Sequence, residues 1–166
     1  MFRISRGACL VVAISALVSG RGWAQNNASA TVTATVQQPI TVTKNNDLSF
    51  ATVFPGVDKT IAVTAGGAAK FTVAGQASTP VNLTFTIPAT IASGGNTLTL
   101  ASWAGHFATT DVTSGGTSFT PSSSATAATL SGSGALYVYV GATAQPTVTQ
   151  AAGSYSGNMT MTVVYF

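Results

Sequence analysis

His106 and Asp111 are the two residues of this chain that could begin a catalytic site. An imidazole can take a proton from a serine hydroxyl while a carboxylate orients the ring, which is the logic of a nucleophilic triad. Here the two lie five positions apart on one short stretch, a spacing that rarely lets both converge on a nucleophile. No serine sits in the strand–turn–helix pattern of a nucleophile elbow. Beyond residue 24 the chain holds one histidine, three aspartates, no glutamate and no cysteine. One histidine cannot build a metal-ligand set. The residue inventory therefore points away from an enzyme and away from any metal or cofactor. The other stretch with chemical character is "SWAGHF", Ser102 to Phe107. Trp103, His106 and Phe107 could stack on a sugar or a surface as an adhesive contact. The alternative, and the preferred one, is a tryptophan packed in a core with His106 at a strand end.

The first 24 residues read as an export leader. Arg3 and Arg6 form a positive start, and Cys9 to Val18 is an apolar run of ten, too short to span a bilayer. Gly22 and Ala24 then occupy the small-residue positions of a cleavage site before Gln25. Cys9 has no apolar run before it, which argues against lipid attachment. Removing residues 1–24 leaves 142, enough for one domain with a real core. It also removes Arg3, Arg6 and Arg21, so the remaining Lys44, Lys59 and Lys70 balance Asp47, Asp58 and Asp111. The basic pI near 9.4 belongs to the precursor. Neither nucleic acid nor an anionic membrane is an expected partner, because both need clustered Lys and Arg. Without cysteine no disulfide can form, and stability must come from packing and backbone pairing.

Twenty-seven threonines after the leader, with frequent valine and glycine, favour strands over helices. From Ala28 to Val36 the alternation is strict. Ala28, Ala30, Val32, Ala34 and Val36 share one face, and Ser29, Thr31, Thr33 and Thr35 share the other. Ile40 and Val42 continue the parity beyond Gln37-Gln38-Pro39, where proline must interrupt any ladder. Further strands are expected at "LSFATVF" (48–54), "KTIAVT" (59–64), "AKFTVAG" (69–75), "VNLTFTI" (81–87), "NTLTLASW" (96–103), "ALYVYVG" (135–141), "PTVT" (146–149) and "NMTMTVVYF" (158–166). Ser114 to Gly134 reads as loop with one short edge strand. About nine short strands without a helical period predict an all-β, antiparallel, immunoglobulin-like β-sandwich with an N-terminal extension strand.

The last strand decides between two designs. A chain ending on an outer-membrane barrel strand would set apolar residues in phase with Phe166, at Val164, Thr162, Thr160 and Asn158, and most of these are polar. The apolar set is Met159, Met161, Val163 and Tyr165, one residue out of phase, and a one-residue slip moves a whole strand to its other face. The sandwich fits better, with those four residues toward the core. Tyr155, just before this strand, is either a tyrosine corner pinning the preceding turn or an ordinary half-buried tyrosine.

The two ends together, "ATVTATVQQPITVTKNNDLSFATVFPG" and "QAAGSYSGNMTMTVVYF", resemble the exported bacterial proteins of domain-of-unknown-function family 4402. More distantly they are similar to archaic chaperone–usher pilins and spore-coat-U-type domains. Resemblance to the pilins implies a sandwich lacking one strand, a groove filled by the N-terminal extension of the next subunit, and a periplasmic chaperone and outer-membrane usher as partners. On that resemblance Ala28, Ala30, Val32, Ala34 and Val36 are the donor residues. Met159, Met161, Val163 and Tyr165 line the acceptor side. Where those pilins carry a cysteine after the extension, this chain has "QQPI".

The expected organisation is a leader (1–24), an extension serving as donor strand (25–38) and a sandwich domain (39–166). The segment Ala28–Val36 either opens the first strand of its own domain, kinked at Pro39, or is donated to a neighbour. Fifteen residues of one parity exceed what an opening strand needs, which favours donation. The expected function is a structural subunit of an extracellular fibre or pilus-like filament, a self-assembling homopolymer exported through the periplasm. The alternative is a monomeric surface or periplasmic binding domain.

Overall fold

The computed structural model describes residues 26–166; the expected leader at 1–24 lies outside them. The described chain divides after Thr35. Residues 26–35 contain no strand and are exposed throughout. Val36–Phe166 forms a body of ten strands: β1 (Thr41–Asn46), β2 (Lys59–Ile61), β3 (Ala69–Ala74), β4 (Pro80–Thr86), β5 (Thr90–Ser93), β6 (Asn96–Ala108), β7 (Thr117–Phe119), β8 (Thr126–Thr129), β9 (Ala135–Gln145) and β10 (Thr160–Tyr165). No helix among the described residues is long and apolar enough to cross a membrane.

All pairings are antiparallel, and they make two open sheets. The larger runs β1-β3-β9-β6-β5, with β2 continuing the β3 edge of β9 and β7 continuing the β5 edge of β6. The smaller runs β10-β4-β8. In chain order, β1, β3, β4, β6, β9 and β10 take the A to F positions of an immunoglobulin-like sandwich. The order β1-β3-β9-β6 corresponds to A-B-E-D, and β4-β10 to C-F. The seventh strand, G, would lie beside F. Among the described residues none takes that place.

Two-residue alternation explains how the sheets join. Val81, Leu83 and Phe85 of β4 face Phe71 and Val73 of β3 and Leu136, Val138 and Val140 of β9 in the main core. Met161 of β10 closes it from the smaller sheet. A second cluster, Phe50, Leu98, Leu100, Ala142 and Ala144, lies on the same face of the larger sheet, with Trp103 packed against both clusters. No strand of the smaller sheet contributes to this second cluster; residues outside the ladders, Leu48, Phe50, Val53 and Tyr155, pack over it instead.

Several expected boundaries move, each for a physical reason. "LSFATVF" is irregular: Ala51 has φ 51°, in the left-handed region that breaks a ladder, while Phe50 turns into the second cluster. "PTVT" is a turn, closed by Gln150 N–H donating to Thr147 O at 3.0 Å, and Val148 is left exposed. "KTIAVT" ends as a strand at Ile61, where Ala65 N–H bonds back to Ala62 O. Ser114–Gly134 contains two short strands, β7 and β8, rather than one. The sequence reading missed β5, whose hairpin with β6 turns through Gly94 (φ 58°) and Gly95 between the paired Ser93 and Asn96. Strand β6 runs on past Trp103 to Ala108.

Candidate functional site

Beside β10 the sandwich is open. Met161 is buried, and Met159, Val163 and Tyr165 are half-buried against the main core, while Thr160, Thr162 and Val164 face outward. On its other flank β10 has no ladder partner among the described residues, so alternate N–H and C=O groups there are free to pair. Across the gap lies β1, the edge strand of the other sheet. Val42 of β1 pairs with Val73, which is fully buried, and directly opposed residues share a face. Yet Val42 is 40% exposed. The inner face of β1 therefore lacks the cover that a G strand would give it.

This seam is closed at one end. The Tyr165 hydroxyl donates to Gln38 O at 2.7 Å and accepts from Gln76 N–H at 2.6 Å, tying the end of β10 to the lead-in of β1. The other end opens into a cavity of about 800 Å³. Phe71, Leu98, Leu100 and Trp103 line its apolar part, and residues 46–53 and 150–159 form its walls. A β-bulge aims Trp103 there: the β6–β9 register shifts between Ala101 and Ala104, and Ser102 takes φ 49°. The charged groups of the lining, Lys44 and Asp47, are paired with each other at 2.6 Å. Tyr155 braces the outer wall, its hydroxyl donating to Ala151 O at 2.8 Å and accepting from Gln150 Nε2 at 2.7 Å. That bond four residues back is the corner geometry that the sequence left undecided.

The strands at the sheet edges differ in how they are protected. Natural edges are blunted by charge, bulges or shortness. Strand β1 carries Lys44 and a register shift between Lys44 and Asn46; β5 and β8 are four residues long. Strand β10 pairs over six consecutive residues without a shift and contains no charged side chain. It is the unprotected edge.

Trp103, His106 and Phe107 do not form one surface. Trp103 lines the cavity, and Phe107 packs in the main core against Phe119. His106 is buried on the opposite face beside Tyr139, and its Nδ1 has no hydrogen-bond partner. Asp111 is committed elsewhere, to Lys70 at 2.7 Å and to the Tyr139 hydroxyl. The hydrogen bond from Lys70, then that from Tyr139, lowers the Asp111 carboxyl below its usual value. Burial, reinforced by the Asp111 carboxylate, pushes Tyr139 up to about 12. This cluster latches the loop after β6 onto the outer face of the larger sheet.

The fold is an antiparallel, immunoglobulin-like sandwich in which, among the described residues, no strand pairs the free flank of β10. Residues 40–165 match the family described as "Domain of unknown function (DUF4402)", and the chain belongs to that family. No curated protein matches it.

Proposed function

We propose that the chain is an exported structural subunit that polymerises by strand addition, Ala28–Val36 of one copy filling the seam between β1 and β10 of the next. The observation that carries this reading is the unprotected β10 edge beside a half-exposed Val42. Two deficits, unpaired backbone and uncovered apolar side chains, are met by one extended segment. The extension has the matching character. It alternates strictly, and Val32 and Val36 are each 94% exposed. Nine extended residues reach about 30 Å, more than the length of β10. The clasp at Tyr165 leaves the cavity as the open end, so Val36 seats there and the donor runs antiparallel to β10. Such an assembly calls for a periplasmic chaperone to cover the seam before polymerisation and an outer-membrane usher to order the subunits.

A second reading rests on the cavity itself. A partly aromatic pocket of about 800 Å³, whose two charged groups Lys44 and Asp47 are paired with each other, suits a monomeric surface or periplasmic domain that binds a small neutral ligand.

The test compares protein beginning at Gln25 with protein beginning at Pro39, by size-exclusion chromatography and negative-stain electron microscopy. Filaments from the longer form alone support donation. Two equally stable, monodisperse forms refute it. A monomer that unfolds only when shortened places the strand in its own domain.

A further inference from the structure

Three of the large apolar side chains left exposed lie together on two turns at the open end of the seam. Phe54, Pro55, Gly56 and Val57 form a β-turn in which Val57 N–H donates to Phe54 O at 3.1 Å and Gly56 has φ 71°. Pro at the second position and a left-handed Gly at the third make it a type II turn, a rigid one. Gly56 N–H also donates to Thr147 O at 3.0 Å, and a methyl added at Gly56 would lie 3.1 Å from Val148 Cγ1. The two turns are therefore locked together. They present Phe54, Val57 and Val148 to solvent at 65%, 59% and 83% exposure. A pinned apolar knob of this kind marks an interaction surface.

The position of the knob identifies what meets it. Val53 and Pro55 on one side and Pro146 on the other line the cavity mouth. Residues 54–58 lead into β2, which pairs the C-terminal end of β9, and residues 146–149 follow that end. The Tyr165 clasp lies at the other end, where Gly75 N–H bonds to Gly134 O just before β9 begins. Knob and clasp thus stand at opposite ends of an eleven-residue strand. Phe166, 66% exposed, and Val36, 94% exposed, belong to the clasp end.

We infer that the knob Phe54–Val57–Val148 is the seat for the clasp end of the next copy of this chain, the end that carries Val36, Pro39 and Phe166. This rests on the proposed strand addition. With Val36 in the cavity of one copy, only Gln37 separates it from Gln38, which is clasped to Tyr165 of its own domain. Two residues of extended chain span at most about 7 Å. The incoming body cannot stand off on a flexible tether; its clasp end is drawn against the knob. Pro39 and Phe166 bring exposed apolar side chains toward the apolar knob, and the contact fixes the angle between successive subunits.

Two engineered cysteines test the contact, since the only native one, Cys9, precedes residue 25. The chain, exported with its leader and recovered from the periplasm, would carry V148C with F166C. A control would carry V112C with F166C, Val112 being 42% exposed on the loop after β6. Mild oxidation of the polymer is expected to give a ladder of disulfide-linked multimers on a non-reducing gel from the first pair and not from the control. Polymers whose V148C/F166C pair cross-links no better than the control overturn the knob contact and leave strand addition standing. Failure of the unsubstituted exported chain to polymerise overturns both. As a second check, F54D with V148D is expected to leave strand exchange intact while producing visibly more bent filaments. Filaments as straight as those of the parent count against the seat.

Discussion

Replacing Val32 and Val36 together by serine separates a donated strand from one that belongs to its own domain. Each valine is 94% exposed in the single chain, so the change costs the isolated subunit almost nothing. Exposed substitutions of this kind stay within about 0.5 kcal/mol. In the seam of a neighbour both side chains would be buried, and burying a valine is worth about 1.5–3 kcal/mol. The pair therefore costs roughly 3–6 kcal/mol per junction, or roughly 100- to 10,000-fold in affinity at 1.4 kcal/mol per tenfold. The assay has two parts: the thermal midpoint of the monomer, and the polymer fraction by size-exclusion chromatography. The midpoint is expected to hold while the polymer disappears. Serine at the outward Thr31 and Thr33 is expected to leave both unchanged. A monomer midpoint that falls by several degrees would mean the segment packs in its own domain, and an unchanged polymer fraction would mean it is not the donor.

Tyr139 is expected to ionise near pH 12 in a tyrosinate absorbance titration. Its folded value lies above the ordinary 10.0, so its contribution to stability is complete below pH 10 and is lost as the pH rises through 12. Asp111→Asn removes the neighbouring negative charge and brings the midpoint down toward 10; no movement would refute the latch. Gly141→Ala places a methyl against the Ile61 carbonyl oxygen where β9 lies between β2 and β6, and overpacking there costs about 1–3 kcal/mol. Its melting midpoint falls, or the close approach of those strands is not as described. Tyr165→Phe removes two hydrogen bonds worth about 1–3 kcal/mol together. Amide exchange should then speed up over Gln38–Asn46, and unchanged protection there would show that the hydroxyl ties nothing.

Alternation made the interior strands legible. Val81, Leu83 and Phe85, or Met161 and Val163, repeat every second residue because one face of each strand is buried, and that pattern is local. The phase of β10 could be read for the same reason. What failed was context. "LSFATVF" carries strand-forming residues, but Ala51 is left-handed and Phe50 caps a cluster that no neighbouring stretch reveals. For "SWAGHF" the preferred core tryptophan holds, since Trp103 packs against both clusters; what a sequence does not show is the bulge at Ala101–Ala104 that turns the Trp103 and Phe107 face inward and leaves His106 on the other. Strand β5 is four residues long, below the length at which alternation stands out. The knob was invisible because Phe54 and Val148 are 94 positions apart and meet only through the turns that carry them.

The cavity alone would serve a small ligand as well as a strand, so the choice between the two readings rests on what each would leave uncovered. A small neutral molecule in the cavity touches one end of the seam. It does not pair the free flank of β10, and it does not reach Val42, which points inward beside buried Val73. An unblunted six-residue edge is an aggregation hazard in a monomer, and charge, shortening or a bulge is the usual remedy. The chain applies such remedies at β1, β5 and β8 and omits them at β10 alone. A deficit left in place at one edge, beside a groove with one end tied shut, is consistent with an edge kept for pairing. An extended, alternating segment satisfies the backbone and the side chains in a single step, and this chain carries one immediately before the clasp.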